Sequence, residues 1–188
     1  MPYQFKITLL NSPVPIWRRF SIQENYSFED LHIAVQITMG WENSHLYMFS
    51  QKGKDGLKIV SSDGEVDEYE HYAHELQIFE VFKRVGQKMF YEYDFGDSWL
   101  HEIVFEKRLE EQTLVPVCLE GEGACPPEDI GGVPGYEIML KAIKNPKHEQ
   151  HEEYREWLGL EEGEKFNPKK FNKELVNKIL VEAFTELE

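Results

Sequence analysis

The chain has 188 residues, 41% of them hydrophobic and 13% aromatic, and carries a formal charge of −15. That length suits one domain with a sizeable core, and the apolar share excludes a disordered chain. The charge disfavours non-specific binding to phosphate backbones, which needs clustered Lys and Arg, so nucleic acid is not an expected partner.

No run of about 18 apolar residues is available to span a membrane. The N-terminus lacks the basic and apolar regions of a signal peptide. With only two cysteines as well, these features predict a cytoplasmic protein with no membrane partner.

Residues 3–10 alternate, with Phe5, Ile7 and Leu9 on one face, and read as a strand. After a break at Pro13 and Pro15, residues 16–22 read as a second strand, with Ile16, Phe20 and Ile22 sharing a face with Arg18. Arg18 either snorkels at the sheet edge or pairs with a carboxylate; anion recognition is the sharper alternative. Ser27 and Asp30 form an approximate capping box ahead of Phe28, Leu31, Ala34, Val35 and Thr38 at helical spacing, and Gly40 ends the run. Residues 45–50 read as another strand. Two strands, a helix and a strand make a β-grasp-like opening.

Residues 51–70 are polar and acidic, with Gly53, Gly56 and Gly64. They predict a long surface loop with a short strand at 57–60. Residues 74–85 fit a short helix through Leu76, Phe79 and Phe82, with a strand as the alternative.

The densest stretch is 91–107. Aromatic residues fill 89–95, and beyond a turn Trp99, His101, Ile103 and Phe105 alternate with Leu100, Glu102, Val104 and Glu106. A two-residue type II′ turn at Gly96-Asp97 would place Asp94 opposite Trp99 and Glu92 opposite His101. One face would then hold Glu92, Asp94, Trp99 and His101. A turn one residue longer breaks that pairing.

Residues 109–117 predict a connector, and 118–135, rich in Gly, Pro and acid, predict no regular element before Asp129. Helices follow. Tyr136, Met139, Leu140 and Ile143 stripe the first; Asn145-Pro146 opens a second running to about Leu158; Asn167-Pro168 or Asn172 opens the last. Its stripe is Leu175, Val176, Ile179, Leu180, Ala183, Phe184 and Leu187.

Several constellations bear chemistry. Asp94, Asp97 and His101 have the ligand types of a divalent metal or an acid–base pair, although Asp97 is also an ordinary turn residue and His101 an ordinary core histidine. Glu128 and Asp129 in Pro126-Pro127-Glu128-Asp129 either hold their loop or face the hairpin and bind a hard cation. A metal set of Asp94, His101 and Glu128 follows from that option. His45 could add an imidazole, or could pack on Trp41. Cys118 and Cys125 could reach four ligands only with His148 and His151, a spacing that matches no familiar zinc site; the thiols are expected to be reduced and metal-free. No phosphate loop, dinucleotide fingerprint or nucleophilic serine is present.

The stretch Tyr93-Asp-Phe-Gly-Asp-Ser-Trp-x-His101 resembles the signature of the plasmid pRiA4b ORF-3-like family. Ile16-Trp-Arg-Arg19, Gly40-Trp41 with His45-Leu46, Cys118-x-x-Gly121, Pro126-Pro-Glu-Asp-x-Gly-Gly132 and Gly135-Tyr136 fit the same family in order. The resemblance implies a bacterial or archaeal chain, in some cases encoded beside mobile elements. It implies a fold and a signature rather than a mechanism.

The sequence therefore predicts a single α+β domain over 1–188, sheet-rich to about 117, then loop and helix. A β-grasp-like antiparallel or mixed sheet would pack on a helix, with a C-terminal helical section. The expected function is a binding module for a protein or small molecule, working through an acidic, aromatic surface of Asp94, Asp97, Trp99, His101, Glu128 and Asp129, with Arg18 and His45 nearby. No cofactor is required, though a divalent metal is an option. The rival reading is a metal-dependent hydrolase, acting on nucleic acid in a mobile-element setting.

Overall fold

The structure is a computed structural model and describes residues 1–52, 56–63, 67, 70–111 and 113–185. Alternation in the sequence becomes a pair of hairpins: β1 (Pro2–Leu9) with β2 (Trp17–Gln23), and β6 (Lys88–Tyr93) with β7 (Trp99–Arg108). With β3 (Tyr47–Ser50), β4 (Lys58–Val60), β5 (Glu70–Tyr72) and β8 (Val117–Glu122) they build one eight-stranded sheet, ordered β5-β4-β3-β6-β7-β1-β2-β8. Among the described strands, only β4 and β5 run parallel. The class is α+β with a mixed sheet.

The β-grasp-like arrangement is not recovered. The opening order of hairpin, helix and strand is present, but β3 joins the sheet beyond β6 and β7 rather than beside β1. The ten-residue β7 occupies the middle, pairing with β1 on one side and β6 on the other. Its inward residues Trp99, His101, Ile103 and Phe105 are all fully buried. They meet Tyr91, Tyr93 and Met89 from β6 and Phe5 and Ile7 from β1, and Phe5 in turn pairs with Phe20 of β2. The opposite face is charged: Arg19 pairs with Glu106 at 2.7 Å and with Glu120, and Lys88 pairs with Glu102. Period-two patterning thus yields one dry face and one wet face.

Helix α1 (Phe28–Met39) lies over the dry face, burying Phe28, Leu31, Ala34 and Val35. The Ser27 hydroxyl accepts from the Asp30 amide while the Asp30 carboxylate accepts from the Ser27 amide, a reciprocal capping box. Gly40, at φ 108, closes the helix in the left-handed region, where a Cβ would be costly.

Arg18 points inward from β2 and is 1% exposed. Its guanidinium donates to the carbonyls of Thr38, Trp17, Glu122 and Gly123, stitching the end of α1 and the end of β8 to β2. It stacks 4.1 Å from the Phe171 ring, and Gly121 leaves room for that stack. Burial pulls its pKa down to about 10. It neither snorkels nor meets a carboxylate, and its donors are used up on main chain, so the anion reading has nothing left to act with.

Three boundaries differ from the sequence reading. Residues 117–122 form β8 because β2 offers an open edge, and the edge outweighs a weak local propensity. The helix expected over 74–85 shrinks to a 3₁₀ turn at Ala73–Glu75 and α2 (Ile78–Val81), with β5 before it. The second C-terminal helix, α4 (His151–Trp157), starts six residues past Asn145. Helix α3 (Gly132–Lys144) packs on α4, and α5 (Lys173–Thr185) packs on β8 and α1. Asn172 caps α5 through its side-chain oxygen. Leu180 and Phe184 are buried, whereas Leu175 and Ile179 are exposed. The loop expected over 51–70 is described only in part, and there β4 is present; Gly53, Gly64 and Leu187 lie outside the described residues.

Candidate functional site

The β6–β7 turn sets the site. It is five residues long, 94–98, not two: Tyr93 pairs with Trp99 and Tyr91 with His101. The Ser98 amide donates to the Asp94 carbonyl at 2.6 Å. Positive φ falls on Asp94 (55°) and Ser98 (53°), and Gly96 is not in that region. The type II′ turn is therefore corrected. Asp94 tolerates the left-handed conformation because its side chain bonds locally, Oδ1 accepting from the Gly96 amide at 2.9 Å.

This length changes which side chains share a face. Trp99 and His101 join Tyr91 and Tyr93 in the core, whereas Glu92 lies on the other face and accepts from the Ser98 hydroxyl. The expected face of Glu92, Asp94, Trp99 and His101 does not exist. His101 sits edge-on to Trp41 at 5.2 Å with Nδ1 3.3 Å from the Tyr91 carbonyl. Burial lowers its pKa to about 4. It is a core imidazole, and the metal set of Asp94, His101 and Glu128 is not assembled.

His45 stands where His101 was expected. Its Nε2 lies 3.7 Å from Asp94 Oδ2, 3.7 Å from Glu128 Oε2 and 3.3 Å from Asp129 Oδ1. That nitrogen is buried and makes no hydrogen bond. Among the described residues, none of these three carboxylates pairs with a Lys or Arg.

Glu128 is held from outside the group. Glu128 Oε1 accepts from the Tyr93 hydroxyl at 2.9 Å and from the Glu42 amide at 2.7 Å. Burial and then the Glu128 bond push the Tyr93 phenol well up, so it stays a donor. Tyr93 accepts in turn from the Ser44 amide, and the Trp41 indole donates to the Pro126 carbonyl. Asp97 Oδ2 accepts from the Gly131 amide, tying the hairpin turn to the Pro-Pro loop. Gly132 packs so closely on the turn that a Cβ there would fall 2.3 Å from the Asp97 carbonyl oxygen.

Beneath the 40–46 loop lies a polar network that sequence reasoning missed. His32 Nε2 is 2.6 Å from Asn43 Oδ1, and its Nδ1 is 2.8 Å from the Tyr91 hydroxyl, which also accepts from Gln36. The pattern is satisfied by a neutral ring that donates at Nε2 and accepts at Nδ1. Burial lowers the His32 pKa to about 4. His32 and Gln36 sit at i and i+4 on α1, a polar pair inside an otherwise apolar stripe, and that was the readable signal.

Glu128 and Asp129 also line a cleft of about 400 Å³ with Trp41, Glu42, Pro127 and the half-exposed Trp157. The cysteines stand apart from the histidines proposed to join them: Cys118 is buried on β8, Cys125 packs behind Gly40, and His151 bonds the Ala142 carbonyl. Burial raises the Cys118 thiol to about 11.

The fold and site define a small α+β protein whose central hairpin ends in an acidic mouth closed by a Pro-Pro loop. The chain belongs to the plasmid pRiA4b ORF-3-like protein family, whose model matches residues 2–175. It is 37% identical over 160 residues to the uncharacterized protein y4hQ of Sinorhizobium fredii (strain NBRC 101917 / NGR234), covering 83% of this chain and 80% of that one. It is also similar to the crystal structure of a protein of unknown function, MM3350, from Methanosarcina mazei Go1. That match has a TM-score of 0.78 at 34% identity, covering 93% of this chain and 95% of that one. No helix among the described residues is long and apolar enough to cross a membrane.

Proposed function

We propose that this protein is a cytoplasmic binding module whose working face is the mouth formed by His45, Asp94, Glu128 and Asp129, and that it takes cationic ligands there. The observation that carries this reading is the convergence of three carboxylates on one imidazole with no Lys or Arg partner among the described residues. Like charges brought together stay costly until a cation enters. The neighbouring cleft is lined by Trp41 and the half-exposed Trp157, aromatic rings that attract cations.

A ligand that binds only the folded state raises its stability. Thermal midpoints measured with divalent ions, organic ammonium ions and simple anions test the proposal. Cations are expected to raise the midpoint of the wild type, and less so that of Asp129→Asn. Stabilisation by anions alone, or by none of the three classes, overturns it.

The metal-dependent hydrolase is the second reading. It draws support from Glu128 Oε2, which faces the same centre while Oε1 is held by Tyr93. Metal-stimulated cleavage of an activated phosphodiester that is lost in Glu128→Gln would favour it over the plain module.

A further inference from the structure

We infer that His45 Nε2, Asp94 Oδ2 and Asp129 Oδ1 form a binding site for one first-row divalent transition ion of the zinc–manganese class, with Glu128 Oε2 as a third oxygen beside it. The inference rests on the cation-binding reading of this mouth and names its occupant.

The three ligand atoms lie within 4.8 Å of one another. The separations from Nε2 are 3.3 to 3.7 Å. Bonds of about 2.0–2.2 Å to a shared tetrahedral centre place neighbouring ligand atoms about 3.3–3.6 Å apart. Hydrogen bonds would draw them closer and align them, and none forms here.

His45 Nε2 is buried from solvent and unbonded, yet three carboxylate oxygens surround it. His101 Nε2 and Trp99 Nε1 are also unbonded, but their rings pack against Trp41 in the core. At His45 the unbonded nitrogen instead faces three carboxylate oxygens.

The Asp94 amide donates to the Leu46 carbonyl, and its Oδ1 is committed to the Gly96 amide, which leaves Oδ2 to face the centre. Glu128 is split the same way: Oε1 is committed to Tyr93 and Glu42, and Oε2 faces the centre. Outer bonds that aim one oxygen inward are what metal ligands require.

The donor set selects the ion. Calcium and magnesium favour all-oxygen shells, whereas one imidazole with carboxylates suits zinc, iron or manganese.

The test starts from protein purified without chelator, with metal content measured per chain. Stripped protein is then titrated with zinc by calorimetry and with cobalt(II) by its visible absorption. One equivalent per chain and a cobalt spectrum of low coordination number are expected. His45→Gln and Asp129→Asn are each expected to weaken binding by about tenfold or more, as loss of a ligand or its support does elsewhere. His148→Gln is expected to leave it unchanged. Asp129 is largely exposed, so its variant keeps the test valid if His45→Gln fails to fold. Absence of saturable metal binding, or binding unaltered in both variants, overturns the inference. If organic ammonium ions then still stabilise the wild type, the cation-binding mouth survives without its metal; if they do not, both fall.

Discussion

Acidification should unfold this protein through two buried histidines. His32 and His101 are 1% and 0% exposed, and burial holds each pKa at about 4 instead of the ordinary 6.5. The native state keeps both rings neutral, while the unfolded chain takes up a proton on each near pH 6.5. Each histidine therefore contributes stability that is fully present above pH 6.5 and is lost as pH falls through 4. At 1.36 kcal/mol per pH unit the loss is about 3 kcal/mol per ring, or about 6 kcal/mol together, with a steepest slope of about 2.7 kcal/mol per pH unit. Domain stabilities are about 5–15 kcal/mol, so the fold should be close to failure at pH 4. At His32 a hydrogen-bond conflict adds to burial. A second ring proton would oppose the Tyr91 hydroxyl, which already accepts from Gln36 and would have to accept again. Relief of the −15 charge works in the opposite direction over the same range but is shared among many exposed groups. Urea unfolding at steps from pH 7.5 to 4.5, with histidine NMR resonances followed in the native state, measures both quantities. A flat stability across that window, or either ring titrating near 6.5 while the protein is folded, refutes the reasoning.

Other outcomes follow from close packing and charge. Gly132→Ala and Gly135→Ala would drive a Cβ to 2.3 and 1.8 Å from the carbonyl oxygens of Asp97 and Ile130, and each should cost about 2–4 kcal/mol in urea unfolding. Gly86→Ala, at positive φ but in open space, should cost only about 1–2 kcal/mol; equal losses would show that the contacts do not matter. Arg18→Met should destabilise by about 3–5 kcal/mol by leaving main-chain carbonyls unbonded, and Arg18→Lys should rescue little, because an ammonium cannot reproduce the fork. A thermal midpoint for Arg18→Lys equal to wild type would refute this. Random duplex DNA should not shift in a gel at physiological salt, given the net charge of −15.

Much of the fold is local and was readable. Ser27 with Asp30 marks the start of α1, and Gly40 marks its end, because capping chemistry depends on neighbours within a few residues. The alternation of β1, β2 and β7 identifies their buried faces for the same reason. β8 was missed because its strand form depends on a free edge of β2 that no local pattern announces.

The hairpin shows where local reading stops. Its existence, its aromatic strands and its acidic turn were legible, but turn length was not. Two residues or five depended on whether Gly96 or Asp94 took the left-handed conformation, and Asp94 took it with the help of its own side chain. That difference sent His101 into the core. The site itself joins residues 45, 94 and 128–129, which meet because β3 pairs beside β6 and the Pro-Pro loop is pinned to the turn through Asp97 and Gly131. The sequence by itself determined the α+β class, the family and the acidic end of the hairpin, all carried by periodicity and short motifs. Which imidazole meets the carboxylates was decided only by the tertiary structure, because strand order and turn register arise from packing between segments far apart in the chain.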